Sequence, residues 1–393
     1  MVENILLTKS VAHLMNWVKK EGYFGWDPYD ALFSSLTTKM CMGNIYLEIL
    51  LTQINKISPI NMRLIFKINK EIDLKGTAIF ARAYSKMYKE TRDEVYLDEL
   101  NKMIYLIVNK SLGNKYGNEC WSSHYFRYRG ADKSQLAPEM PDIIGTSQSI
   151  IALVEGHNIT NEEYIRDIVI DAWSFVVNNF IHSHQNKIFV EYAPGRSNPI
   201  VINASAQVLE AGSHFLTVSK NKQSKDMCEK LARFLISTQE DDGSWKYSIY
   251  ESGKVRNQLD FHQGFILDAL LEYLVYADDK TEILHCLDKG FRFYREKMFL
   301  ENGQSYYRYP TKYPVDIHNQ AQGMISFSKY GALYPQYLEF GKRIAEWTIE
   351  NMQDKSGFFY YQKWPLIANR IPYMRWNQAW MMLALAHLLE KES

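Results

Sequence analysis

Helix openings that start polar and turn apolar recur along this chain at an almost fixed interval, and that interval leaves few folds open. GTSQSIIALVE begins at Gly145, NASAQVLEAGSHFL at Asn203, FHQGFILDALLEYL at Phe261, NQAQGMISFSKY at Asn319 and WNQAWMMLALAHLL at Trp376. Successive starts are 58, 58, 58 and 57 residues apart. An earlier segment, GTAIFARAYSKMY from Gly76, joins the series after a longer step. Between these starts lie helices of a second kind: EEYIRDIVIDAWSFVVNNF, SKDMCEKLARFLIS, TEILHCLDKGFRFYREKM and PQYLEFGKRIAEWTIENM. In the second of them Cys228, Leu231, Ala232 and Leu235 share one face, while Lys225, Glu229 and Arg233 point elsewhere. The first kind is apolar on nearly every side and the second on one side only. That alternation predicts an inner ring of helices wrapped by an outer ring, each unit an antiparallel hairpin of about 58 residues that cannot bury its apolar face alone. Five or six such units fill residues 1–393, and no Pro-, Gly- or Ser-rich linker divides them. The expectation is an all-α, single-domain (α/α)6 toroid. An open superhelical stack competes with it, but six hairpins suffice to complete a circle and few caps are visible at either end.

Composition narrows the function. The 45 Lys and Arg balance the 45 Asp and Glu, which argues against a nucleic-acid partner and against broad attraction to an anionic membrane. Cys41, Cys120, Cys228 and Cys286 are widely spaced without a CxxC, so neither a zinc site nor a disulfide framework is expected. No basic region precedes an apolar run at the N-terminus, and no stretch approaches the roughly 18 apolar residues of a membrane span. A soluble, cytoplasmic protein without membrane insertion is expected. The sequence does not give its oligomeric state. The HSH at His182–His184 has no partner at ligand spacing, and no phosphate loop, GxSxG or HExxH is present, so no metal or cofactor is expected. Aromatic residues reach 14%, enough either for a large aromatic core or for a cleft walled by flat rings.

Two resemblances extend this reading. Gln239-x-x-x-Gly243-x-Trp245, with a partial copy at Gln353-x-x-x-Gly357-x-Phe359 two repeats on, resembles the QW repeat of squalene and hopene cyclases and other α/α-toroid proteins. The chain departs from the cyclases in having no DxDD motif. Its one DDxxE match, Asp278-Asp279 to Glu282, falls in a link on the side away from the polar openings. The second resemblance covers more of the chain. GWDPYDAL (Gly25–Leu32), SPINMR (Ser58–Arg63), KGTAIFARAY (Lys75–Tyr84), SNPIVINASA (Ser197–Ala206), DFHQGFILDAL and RWNQAWMMLAL are similar to proteins found with bacterial polysaccharide-biosynthesis genes. That family is similar in architecture to six-hairpin glycosidases, sugar 2-epimerases and uronyl-processing toroids. The resemblance implies a carbohydrate context without fixing a reaction.

If the inner helices run in one direction, their N-termini share one face. Collected there are Asp142 and Thr146, Asn198 and Asn203, Asp260 and His262, Asp316, His318, Asn319 and Gln320, and finally Arg375, Trp376 and Asn377. Trp121, Tyr192, Trp245, Tyr247, Tyr307 and Tyr309 stand in the links and could line the walls. His124 and Arg127 lie in the same kind of link, and WDPYD adds Trp26, Asp27, Tyr29 and Asp30. Helix N-termini favour a carboxylate or phosphate, flat rings stack on sugar C–H faces, and carboxylates and amides bind hydroxyls.

The candidate catalytic residues are His262, His318, Asp260, Asp30 and Tyr192. Two histidines from adjacent hairpins could approach each other and move protons in epimerisation or β-elimination, whereas Asp30 with Asp260 would suit glycoside hydrolysis. Arg63, Arg127 and Arg375 would hold an anionic group. Plain readings stand beside these: the aspartates as helix caps, Trp245 as a packing ring at a hairpin end, the arginines as braces of long loops. The function expected is binding of a saccharide, including uronic types, by an epimerase, lyase or hydrolase of glycan metabolism. A non-catalytic glycan-binding subunit is the main alternative; an isoprenoid cyclase is disfavoured by the polar openings.

Overall fold

The computed structural model describes residues 2–130, 135–184, 187–195 and 199–390. In chain order the first helices are α1 (Val2–Lys20), α2 (Ser35–Cys41), α3 (Ile45–Ile57), α4 (Leu74–Thr91), α5 (Glu94–Asn109) and the single turn α6 (Gly113–Tyr116). Then follow α7 (Ile143–Thr160), α8 (Glu163–Asn179), α9 (Ile202–Val218), α10 (Lys222–Ser237), α11 (His262–Tyr273) and α12 (Thr281–Met298). The last are α13 (Ile317–Tyr330), α14 (Pro335–Met352) and α15 (Trp380–Glu390), the latter entered through a π-helical turn at Met374–Ala379.

The ring is closed. α4 packs on α7, α7 on α9, α9 on α11, α11 on α13, α13 on α15, and α15 back on α4. These six inner helices are those read from the 58-residue interval. Around them α5, α8, α10, α12 and α14 form the outer layer. The sixth outer helix is α1, which packs on α15, so the first and last elements of the chain make one hairpin. Most buried hydrophobic residues from Leu7 to Leu388 belong to one large core, with Tyr361, Ile371 and Tyr373 in a small second cluster.

Local chemistry explains where helices begin. Asp142 caps α7 through Ile144 N and Gly145 N, Asp73 caps α4 through Gly76 N, and Asp316 caps α13 through His318 N. α10 buries Cys228, Leu231, Ala232 and Leu235, the face expected from its spacing.

The turns after the outer helices hold the outer layer together. Gln239 Nε2 donates to Gly243 O at 3.1 Å and to Cys286 O of α12 at 2.9 Å. Gly243 adopts φ +93°, and a Cβ there would sit 2.4 Å from Lys289 O on the same α12. Gln353 repeats the arrangement on α1: its Nε2 donates to Gly357 O and Ser10 O, and it accepts from Ser10 Oγ at 2.8 Å. A third turn, Phe299–Ser305, has the same bridge and a positive-φ Gly303 against Arg343 of α14, but lacks both the Gln and the final aromatic.

The links on the opposite side carry short antiparallel pairings. Among them are β1 (Tyr128–Arg129) with β2 (Gln135–Leu136), and β3 (Ile181–His184) with β4 (Lys187–Val190). β5 (Ile200–Val201), β6 (Ser248–Ile249) and β7 (Val255–Arg256) form one three-stranded patch. β8 (Val315–Asp316), β9 (Gln362–Lys363) and β10 (Ala368–Asn369) form another. These strands splice neighbouring links into a rim around the inner-helix N-termini. Among the described residues no helix is long and apolar enough to cross a membrane.

Candidate active site

Each of the six inner helices contributes a residue from its N-terminal end to one cavity of about 450 Å³: Lys75, Ile144, Asn203, His262, His318 and Arg375. The rim links add rings and cations, among them Tyr29, Tyr192, Tyr247, Tyr307, Arg256 and Arg308. A cavity of this size suits a small saccharide or one end of a longer one.

His262 and Asp260 form the best-defined pair in it. Asp260 caps the first turn of α11 by accepting from His262 N at 3.2 Å, and the same oxygen takes the ring Nδ1 in a very short contact. Its second oxygen accepts from Gln258 Nε2 at 2.6 Å and faces Arg308 at 3.7 Å. Burial opposes charge on Asp260, but His262 and these hydrogen bonds hold its carboxyl below the usual range. With Asp260 ionised, Nδ1 is the donor of the imidazole, and Nε2 carries the lone pair. The His262 side chain remains 16% exposed, toward a cavity edged by Tyr247 at 4.9 Å.

His318 is different. Its ring stacks on Phe261 at 4.1 Å between centroids and meets Trp376 and Trp380 at 4.7 and 4.8 Å. It is 1% exposed, and neither ring nitrogen has a hydrogen-bond partner. Burial, with Lys75 and Arg375 nearby, pushes its pKa well below the ordinary histidine value. The expected approach of the two histidines is corrected here: Phe261 lies between them, stacked on His318 and, at 4.2 Å, on His262. They share the cavity without touching.

Asp316 also lines the cavity, and both its oxygens are engaged. It receives His318 N, Trp376 Nε1 and Gln362 Nε2. Burial raises its pKa. Asn319 accepts from Phe261 N and donates to Tyr306 O and Tyr307 O, which fixes the wall rather than leaving an amide for a ligand. Asn203 Oδ1, by contrast, is buried and unpartnered at the cavity edge. Tyr192 lines the wall, but burial pushes its phenol well above 10, so it can donate a hydrogen bond and is no base at neutral pH. His124 completes this side, stacked on Phe126.

Several sequence candidates lie elsewhere. Asp30 is fully buried beneath the rim, where Arg63 Nε contacts both its oxygens at 2.9 and 3.0 Å; it is half of a structural ion pair and reaches no substrate. The other Arg63 nitrogens are engaged by Tyr373 Oη and Asp27 O, so this arginine is a brace. Asp27 is buried on Arg375, at 2.5 Å, and acts through it. Trp26 turns its indole N–H to Ile68 O. Trp121 and Trp245 are fully buried and donate to Ile107 O and Leu235 O at the ends of α5 and α10, so both are packing rings. Arg127 is paired with Glu48 at 2.6 Å. Gln320 points away, to Ser305 N, Gly303 O and Thr348 Oγ1. Asp142 and Thr146 are cap and link contacts, Tyr309 packs on the core, and Asn198 lies outside the described residues.

The structure adds cations that the sequence reading passed over. Lys56, Lys75, Arg256 and Arg308 line the cavity with Arg375, against two carboxylates, Asp260 and Asp316. Lys56 donates to Tyr29 Oη at 2.7 Å. Lys75 is 9% exposed, and burial next to Arg375 pushes its amine down to about 7, so near neutrality much of it is an uncharged base. Arg375 stays charged because Asp27 and Asp73 outweigh its burial. A signal for Lys75 was present in the repeat. It stands one residue before Gly76, the register position that Asp260, His318 and Arg375 occupy in three other hairpins.

Compared by sequence, the chain matches no protein-family model and no curated protein. Compared by structure, it is similar to cellobiose 2-epimerase from Bacillus thermoamylovorans, with a TM-score of 0.65 and 13% identity over 83% of this chain and 90% of that one. It is similar to a D-mannose isomerase at TM-score 0.64 and 13% identity, over 81% and 87% of the two chains. It is also similar to an α-1,6-mannanase from Salegentibacter at TM-score 0.61 and 12% identity, over 82% and 90%. These likenesses place the fold among the (α/α)6 toroids.

Proposed function

We propose that this protein is an enzyme of glycan or exopolysaccharide metabolism that binds an anionic saccharide and moves a proton at one of its carbons, in epimerisation or elimination. The observation that carries this reading is His262, fixed by ionised Asp260 and turned toward a cavity whose other charged walls are mostly cationic. Asp260 sets the tautomer and orients the ring, and Nε2 takes the proton. Lys75, held near neutrality from the adjoining wall, is the second proton-transfer group. His318, caged by rings and neutral, shapes that wall. Arg256 and Arg308 are partly exposed at the rim and would meet a uronate carboxylate, with Tyr192 and Tyr247 along the sugar faces.

Hydrolysis by two carboxylates is less well supported. Both oxygens of each cavity aspartate accept from protein donors, and Asp30 is sealed off. A structurally similar mannanase described as inactive carries asparagine at two neighbouring aspartates. The neighbouring pairs of this chain, Asp241–Asp242 and Asp278–Asp279, do not line the cavity. The mannose-, cellobiose- and mannan-acting neighbours favour a saccharide over a prenyl substrate, and the polysaccharide-biosynthesis resemblance favours a charged one.

The test is turnover of uronic-acid-containing and neutral oligosaccharides by the protein and by His262→Gln. Turnover of an acidic sugar should fall about 10²–10⁴-fold in the variant with binding nearly unchanged. Binding without turnover in either protein would make this a glycan-binding subunit instead.

A further inference from the structure

Of the 24 exposed large hydrophobic residues among the described residues, twelve fall between Leu36 and Ile65. The segment contains α2, α3 and the turn after it. α3 is inverted relative to a surface helix of a soluble protein, which turns its apolar stripe inward. It buries Glu48, Thr52 and Asn55 against the molecule and exposes Tyr46, Leu50, Ile54 and Ile57 at 66, 55, 49 and 61%. The inward polar face is tied into the molecule at each of these three residues. Glu48 holds Arg127 and Arg129, Asn55 donates to Asp30, and Thr52 donates to Glu48 O. The outward side therefore cannot be turned in without breaking buried charge pairs. The apolar face continues over Ile60, Leu64 and Ile65. It is extended by Leu366 and Ile367, whose hairpin is tied to Ser58 O through Asn369.

Charge selects the occupant. From residue 31 to residue 70 the sole acidic side chain is Glu48, which is buried, while Lys39 and Lys67 are exposed. An aliphatic face edged by lysines and free of exposed acid complements the headgroup–acyl boundary of an anionic bilayer. We propose that the α2–α3 face docks this protein peripherally on an anionic lipid surface. The chain's zero net charge hides this local asymmetry. Gln53 and Lys56, on the other side of α3, line the cavity, so docking would hold the cavity beside the headgroups.

The experiment is flotation of the full chain with vesicles of phosphatidylethanolamine and phosphatidylglycerol in equal parts, against phosphatidylcholine alone, at low and high salt. The protein should float with the anionic vesicles and be released as salt rises. Leu50→Glu combined with Ile54→Glu should lower the bound fraction at least about tenfold. Lys39→Gln and Lys67→Gln should each weaken binding about fivefold. All four side chains are on the surface, so melting temperatures should hold; if the glutamates lower them, the lysine pair carries the test. Recovery on neither vesicle type, or equal recovery on both, overturns the proposal. So does a dimer in sedimentation velocity that the Leu50/Ile54 variant converts to monomer, which would give the face to a second copy.

Discussion

His318 shows how a buried imidazole can be read from its surroundings. Phe261, Phe265, Trp376 and Trp380 enclose it, its pKa lies well below the ordinary histidine value, and both nitrogens are without partners. Below about pH 6.5 the unfolded chain takes up a proton that the folded chain refuses, so stability falls as pH drops, at up to about 1.4 kcal/mol per pH unit for this one site. His318→Phe should fold and should flatten the acid side of a urea-unfolding series between pH 7 and 5 by that amount; an unchanged slope would mean the ring is protonated in the folded protein. The polar openings of the apolar helices made His262, His318, Asp260 and Arg375 visible in the sequence. Lys75 was hidden because a lysine beside a helix start is usually solvated, although its register matched theirs. Trp121 was misplaced, and Trp245 left between a wall ring and the packing ring it is, for another reason: a ring in a link can face the cavity or the hairpin end. Only the direction of its indole N–H, here to Ile107 O and Leu235 O, separates the two.

Among elements, the turns after the outer helices do more than their sequence suggests. Gly243, Gly303 and Gly357 each adopt a positive φ and press on the backbone of the next outer helix. Gly243→Ala adds both the steric cost of that φ and a clash with Lys289 O, and should lower unfolding free energy by about 2–4 kcal/mol in denaturant titration. A loss below about 1 kcal/mol would mean the turn relaxes freely and does not brace α12. The interval between helix starts was legible because hairpins of one size must stack in one register. The two-residue strands of the rim were not, since they are too short to show an alternating pattern. The π-helical entry at Met374–Ala379 also differs from the regular helix expected from Trp376. It brings Arg375 onto Asp27 while Trp376 reaches Asp316. α3 escaped assignment to any hairpin because its apolar side chains, which look like core, face outward.

For the molecule as a whole, closure is what gathers residues as distant as Lys75 and Arg375 around one cavity. α1 fills the sixth outer position and is joined to the turn after α14 through Ser10 and Gln353. Six helix N-termini then turn toward the same space, four of them capped by Asp73, Asp142, Asp260 and Asp316, and lysine and arginine side chains supply its positive charge. The fold is shared with sugar epimerases, an isomerase and mannanases, while the chemistry is argued from the side chains of this one. The most direct measurement is proton NMR of an acidic oligosaccharide incubated with the protein in D2O. The account predicts that deuterium enters at a single sugar carbon with the protein, and that His262→Gln abolishes the exchange. Turnover that leaves every carbon-bound proton in place, or exchange that survives the substitution, would contradict it.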